Sequence, residues 1–349
     1  MSFLTSINSL YYPGDNCPLP KVVMVEPTDS CTLKCVMCDV QQQKRGNFHF
    51  LSPDRFEFIL NQFPKTRELI FCGIGEPLLN RDIFSMINIA KKRKIPFINL
   101  ITNGELLGME NSEKLINSGL DQLHISMPAI TESAFLKIRN NPKVSLKQLS
   151  ENINNISKKR EIEQKKIKII VNIVMMKYNL SELTDAILFC RDLGVDGICF
   201  VQLTTIFGKN EGINLPRNRI SETFKMIKEI GKKSGLDVTF LTGNDYGRCY
   251  QLWNFIMIHA NGNISPCNGI MPTEGINLGN IFRDKINEIW LSEDYRELRR
   301  KIRESRLENC EFCESGYLIE GKNWRWWKNF YMRPLRNLIA QQLKRANVV

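Results

Sequence analysis

The sequence predicts an α/β fold built on a parallel sheet, and three observations carry that prediction. Apolar strand-like segments alternate with helical patterns over residues 21–240. The strand segments are apolar almost throughout, which suits burial on both faces in a barrel or a doubly wound sheet. Six β-then-α repeats joined this way imply right-handed crossovers between parallel strands.

The elements follow in order. "KVVMVEP" (21–27) is the first strand, followed by a helix over 53–63. "ELIFCG" (68–73) precedes a helix over 82–93, and "PFINLIT" (96–102) one over 111–118. "DQLHISM" (121–127) leads into helices over 131–139 and 146–159. "KIKIIVNIVMM" (166–176) precedes a helix over 181–193, and "DGICFVQL" (196–203) one over 218–234. Leu183, Ala186, Ile187 and Cys190 form one apolar stripe, and Gly194 suits the C-terminal stop. After residue 241 the chain turns to short β-like pieces, more cysteines and a helix over 285–304. The expected division is an N-terminal segment 1–20, the repeating domain 21–240, a small cysteine-rich α+β domain 241–318 and a basic, aromatic tail 319–349.

Composition bounds the class. The 349 residues are 43% hydrophobic and 24% charged, as in an ordinary globular protein. No apolar run approaches the roughly 18–20 residues of a membrane span. The first twenty residues lack the charge, apolar stretch and cleavage site of a secretory signal, so the cytoplasm is the default location. A net charge of +11 favours an anionic partner without choosing one.

"SCTLKCVMCDV" (30–40) places Cys31, Cys35 and Cys38 just after the first strand. Structural zinc wants four ligands and an ordinary cubane cluster four thiolates, so three suit a cluster with one open iron, with half a zinc site as the alternative. In α/β sheets ligands bind beyond the C-terminal strand ends. "GIGEP" (73–77), "TNG" (102–104), Ser126 and Asn172 fall on that same edge. Period-2 alternation puts His124 and Ser126 on one face, opposite Leu123, Ile125 and Met127. His124 reads as a hydrogen-bonded structural histidine, Cys72, Cys190 and Cys199 as core, and Cys17 as a loop residue.

A second set comprises Cys249 and Cys267, which bracket a hairpin with an "NGN" turn, and Cys310 and Cys313 in "CEFC". Spacing alone leaves structural zinc and an iron–sulfur cluster both open.

Cys31-x3-Cys35-x2-Cys38 followed by Gly-Glu-Pro resembles the radical S-adenosylmethionine enzymes. The resemblance implies a partial (β/α)6 barrel. The three cysteines would hold a [4Fe-4S] cluster whose fourth iron is chelated by S-adenosylmethionine. One electron would then cleave the cofactor to a 5′-deoxyadenosyl radical that takes a hydrogen atom from substrate. Glu76 matches the family's acceptor for the cofactor ammonium, and Gly73 and Gly75 its close-approach glycines, here separated by Ile74. Ser126 matches a position at the ribose or carboxylate end, and Arg139 an arginine that pairs with the carboxylate. Asn103 and Asn172 are expected polar contacts, and Met37 stands where the family has an aromatic residue near the adenine.

The second set, with "LGNI…IW" (278–290), resembles the SPASM and twitch extensions of these enzymes. With no cysteine after Cys313, the resemblance implies one auxiliary [4Fe-4S] cluster on Cys249, Cys267, Cys310 and Cys313, acting as an electron sink. It also implies an external one-electron reductant of the flavodoxin or ferredoxin kind. The expected reaction is hydrogen abstraction from an unactivated carbon with net oxidation. Only 30 residues precede Cys31, too few for a peptide-recognition domain. That favours a small polar or nucleotide- or sugar-linked substrate. A ribosomal-peptide maturase, an RNA-modifying enzyme and a non-catalytic electron carrier are the alternatives. A carrier needs no amino-acid-binding residues, so Glu76, Ser126 and Arg139 speak against it. The tail, with three tryptophans and seven basic residues after residue 320, reads as a capping helix. A membrane-surface or nucleic-acid arm is the alternative for it.

Overall fold

The computed structural model describes residues 17–38, 47–203, 217–241, 251–267 and 278–303. Cys249, Cys310, Cys313 and the tail lie outside the described residues.

The strands are β1 (Val22–Val25), β2 (Glu68–Phe71), β3 (Phe97–Thr102), β4 (Gln122–Ser126), β5 (Lys168–Met175), β6 (Gly197–Gln202), β7 (Asp237–Leu241), β8 (Phe255–Ile258) and β9 (Ile264–Ser265). They form one sheet in the order β7-β6-β5-β4-β3-β2-β1-β8-β9. Every pairing from β7 to β8 is parallel, and only β8 and β9 pair antiparallel. The helices are α1 (Pro53–Gln62), α2 (Ile83–Lys92), α3 (Met109–Asn117), α4 (Glu132–Arg139), α5 (Leu146–Ile162), α6 (Asp185–Asp192), α7 (Arg217–Ser234), α8 (Gln251–Asn254), α9 (Ile286–Trp290) and α10 (Glu293–Arg303).

Local chemistry explains the element ends. Ser52 caps α1 by accepting from the Arg55 amide at 3.3 Å, with Pro53 at the first helical position. Ser145 caps α5 in the same way through Gln148. Asn140 ends α4 at φ 49°, and Gly194 follows α6 at φ 72°, both left-handed stops. Alternate residues of β1 serve different faces. Val23 and Val25 join the main core with the helices, while Val22 and Met24 meet Phe255 and Met257 on the opposite face.

Four expectations need adjustment. The helix expected over 181–193 is broken into a short 3-10 turn, Leu180–Glu182, and α6. Buried Asn179 fixes where the 3-10 turn starts: its side-chain amide donates to Pro128 O and Val174 O, and its oxygen accepts from the Met176 amide. The helix expected over 285–304 is also two, because Ser292 accepts from the Tyr295 amide and starts α10 afresh. The hairpin expected in the cysteine region forms as β8–β9, but it is also continuous with the main sheet. β8 runs beside β1 with Val22 opposite Phe255 and Val25 opposite Ile258. Strand β7 is a seventh parallel strand that the repeat count lacked. No helix among the described residues is long and apolar enough to cross a membrane.

Candidate active site

The cysteine loop leaves β1 at the C-terminal edge of the sheet and is pinned at its base. The Thr28 hydroxyl donates to His49 O at 2.7 Å, and Asp29 accepts from the His49 amide at 2.7 Å. The Cys31 sulfur accepts from the Leu33 amide at 3.4 Å, and Leu33 is buried. The Val36 amide donates to Ile138 O at 3.0 Å, tying the loop to the end of α4. Met37 packs partly buried against the core, so it can present a soft apolar face beside the loop.

Glu76 sits beside this loop and is 1% exposed. One carboxylate oxygen accepts from the Leu78 amide at 3.0 Å and the Thr102 hydroxyl at 2.7 Å. The other accepts from the Asn103 amide at 2.7 Å. Burial raises the pKa of this carboxyl, against the opposing pull of its three donors. Glu76 makes no ion pair among the described residues, so a ligand ammonium would offset the burial that now disfavours its charge. The Asn103 side chain in turn donates to the Cys31 sulfur at 3.8 Å. The first cysteine and the carboxylate thus share one neighbour.

The two glycines before Glu76 are closely approached by the chain itself. A Cβ on Gly75 would lie 2.2 Å from Thr28 O and 2.5 Å from Ser30 O. A Cβ on Gly73 would lie 2.4 Å from the Glu26 side chain. What approaches these glycines is the chain's own cysteine loop and β1 end.

Ser126 and Asn172 are register partners across β4 and β5. Asn172 Oδ1 faces His124 Nδ1 at 3.0 Å, and Gln122 Oε1 faces His124 Nε2 at 3.1 Å. Burial lowers the His124 pKa, so the ring is a neutral structural spacer. The expected cofactor contact at Asn172 therefore has its amide oxygen committed to His124. Arg139, 3% exposed, braces the site: its Nη2 donates to Asn103 O at 2.8 Å and to Ser126 O. It also hydrogen-bonds Cys35 and counters the burial that raises that thiol's pKa.

These residues fit a zwitterionic ligand and a thiolate-held cluster. Arg139 Nε and Glu105 Oε1 are both buried without a partner among the described residues, and both groups stand near Cys35. An unpaired buried donor and acceptor side by side suit a carboxylate and an ammonium. Burial pushes the Cys31 thiol up to about 11, with Cys35 and Cys38 close enough to add to the shift. No three metal-ligating side chains among the described residues converge as the ligands of a single ion do. A cubane's irons sit at separate corners, so its thiolates stand further apart than those round one ion. Of the second set only Cys267 is described; it is buried just beyond β9.

The sequence marks Thr102, which orients Glu76, only as part of "TNG", and does not mark Glu26 or His259. Glu26 accepts from the Ile74 amide at 2.6 Å and faces His259 of the hairpin at 3.2 Å. Its alternation with Val22 and Met24 could have marked an inward carboxylate, but its partner lies 233 positions away.

A parallel sheet with a cysteine loop, a buried carboxylate and a guanidinium gathered at its C-terminal edge is the frame of an S-adenosylmethionine-dependent iron–sulfur enzyme. Residues 25–190 match the radical SAM superfamily, and residues 249–314 match an iron–sulfur cluster-binding domain of the SPASM type. The chain therefore carries a radical SAM domain followed by a SPASM-type iron–sulfur domain, and its cofactors are two [4Fe-4S] clusters and S-adenosylmethionine. It is 26% identical over 258 residues to a probable GTP 3′,8-cyclase of Methanocaldococcus jannaschii, covering 69% of this chain and 82% of that one. It is 23% identical over 283 residues to the PqqA peptide cyclase of Gluconobacter oxydans, covering 78% and 76%. Among solved structures, Streptococcus suis SuiB bound to S-adenosylmethionine superposes with a TM-score of 0.68 at 17% identity, covering 80% of this chain and 68% of that one. SuiB bound to its precursor peptide SuiA gives 0.67.

Proposed function

We propose that this enzyme modifies a peptide by abstracting a hydrogen atom from an unactivated carbon, with net oxidation of the substrate. The single observation that carries the reading is the coverage of the peptide-cyclase relative, which spans 78% of this chain, through both the sheet and the cysteine hairpin. The structural likeness to SuiB, solved with a precursor peptide, supports the same choice of substrate over the small polar molecule first expected. A nucleotide-linked substrate is the second reading, favoured by the 26% identity to the probable GTP 3′,8-cyclase.

In this reading Cys31, Cys35 and Cys38 hold the radical-generating cluster, and Cys249, Cys267, Cys310 and Cys313 hold the auxiliary one. When bound, the first cluster and S-adenosylmethionine supply a carbon-centred radical that can break an unactivated C–H bond. Glu76 receives the cofactor ammonium, and Arg139 holds the strand ends apart at the right spacing and offers Nε to the carboxylate. Asn103 orients both Glu76 and Cys31. A flavodoxin- or ferredoxin-like protein supplies the electron.

The test is direct. Reconstituted protein, reductant and S-adenosylmethionine are incubated with short precursor peptides encoded beside its gene, and in parallel with nucleoside triphosphates. Loss of two hydrogens from a peptide, with deuterium moving from the labelled carbon into 5′-deoxyadenosine, supports the peptide reading. Turnover of a nucleotide alone overturns it.

A further inference from the structure

The Glu26 carboxylate is 1% exposed, and its hydrogen bonds among the described residues reach two functional loops. Oε1 accepts from the amide of Ile74, inside the Gly73–Glu76 loop, at 2.6 Å. Oε2 accepts from the Ala260 amide and faces His259 Nδ1, each at 3.2 Å, at the turn of the β8–β9 hairpin. The relay continues: His259 Nε2 meets Ser265 Oγ at 2.8 Å, and Ser265 lies two residues before Cys267. His259 is 3% exposed and Ser265 1%. A carboxylate only accepts, so Nδ1 donates to Glu26, and the other ring nitrogen pairs with the serine hydroxyl. The backbone reinforces the link, because the Glu26 amide donates to Ile258 O at 2.9 Å.

We propose that Glu26, His259 and Ser265 are positioning residues that couple the cofactor loop to the auxiliary-cluster hairpin, so that occupancy of either site raises the affinity of the other. This rests on the reading that Cys267 and its three companions hold the second cluster. Filling that site fixes the backbone at Cys267 and with it the Ser265 hydroxyl. The hydroxyl fixes the His259 ring, the ring fixes the Glu26 carboxylate, and the carboxylate fixes the Ile74 amide two residues before Glu76. Once one end is ordered, the other end loses less freedom on binding, which is positive coupling. Coupling of this kind is reciprocal, and a five- to tenfold effect lies within the typical range of about 5–150-fold.

The experiment compares S-adenosylmethionine affinity, read by equilibrium dialysis and by the change in the first cluster's electron paramagnetic resonance signal. It uses the reconstituted full chain and its Cys310→Ala plus Cys313→Ala variant. Iron content and circular dichroism are measured first. Loss of the second cluster is expected to weaken cofactor binding about fivefold to tenfold in the native background. In Ser265→Ala and in His259→Asn, which keeps a donor toward Glu26 but breaks the relay, the same loss should change affinity by less than about twofold. Equal affinities with and without the second cluster in the native background overturn the coupling. So does undiminished coupling in both relay variants. A native protein that holds only the first cluster refutes the two-cluster reading itself, and the proposal with it.

Discussion

The Thr102 hydroxyl donates to the Glu76 carboxylate at 2.7 Å, binding the last residue of β3 to the loop that follows β2. Both groups are 1% exposed. Thr102→Val keeps the shape and removes the donor. A hydrogen bond to a charged group contributes about 1.5–3 kcal/mol, so cofactor affinity should fall by on the order of tenfold or more. Equilibrium dialysis with the reconstituted protein checks it.

Glu76 itself separates charge from shape. Glu76→Gln keeps an oxygen for the Leu78 and Thr102 donors but removes the negative charge. Its amide nitrogen, however, meets the Asn103 amide, so cofactor affinity should fall about ten- to a hundredfold and stability by about 1–3 kcal/mol for that one donor. Glu76→Ala strands three buried donors and should also destabilise the fold, by about 1–3 kcal/mol for each donor left unsatisfied. Calorimetry and binding measured on both variants distinguish the two effects.

Gly75→Ala should be more harmful than its size suggests. The added carbon would sit 2.2 Å from Thr28 O, a backbone atom at the base of the cysteine loop. Overpacking of this kind costs about 1–3 kcal/mol or more. The expected outcome is a lower melting temperature together with poor iron uptake at the first site, read by iron analysis.

Glu68 gives the fold a pH dependence of its own. Burial pushes its carboxyl up to about 7. The folded state therefore binds this proton more tightly than the unfolded chain does, and this contribution to stability declines as pH rises from about 4.5 through 7. Glu68→Gln keeps an acceptor for Asn99 Nδ2, now at 3.0 Å, and removes the ionisation. Above pH 7 the variant should be more stable by on the order of 1–3 kcal/mol, and its stability should vary less between pH 5 and 8. Urea melts across that range measure it.

Iron content tests the division of the cysteines. Native protein reconstituted without oxygen should hold about eight irons, and the variant with Cys31, Cys35 and Cys38 all replaced by Ala about four. Zinc at the second set would remove the electron sink.

Much of this was legible before any coordinates, and the exceptions share a cause. The buried strands showed themselves as apolar runs, and the alternation in β4 placed His124 and Ser126 on the face where they lie. Cys31, Cys35, Cys38 and Glu76 were legible because loop chemistry at strand ends is local in sequence. Glu26, His259 and Ser265 were not, because a buried relay is defined by partners from distant segments and each residue alone looks ordinary. The reason for Gly73 and Gly75 was hidden in the same way: the atoms that exclude a side chain there belong to residues 26–30. Helix breaks after Glu182 and at Ser292 were missed because apolar periodicity runs through both, and the Ser292 cap is revealed only by its hydrogen bond.

The parallel pairing of β1 with β8 has a consequence for how the chain is made. Val22 to Val25 are made about 230 residues before Phe255 to Ile258, yet one side of that strand waits for them. Until then a four-residue apolar strand in the interior of the finished sheet carries an open row of amides and carbonyls. Late closure of this kind lengthens the exposure of sticky intermediates during synthesis. An expressed fragment ending near residue 240 would keep that open row permanently, so the sheet and the cysteine hairpin should be produced together rather than dissected, and chaperone supply should raise the yield of usable enzyme.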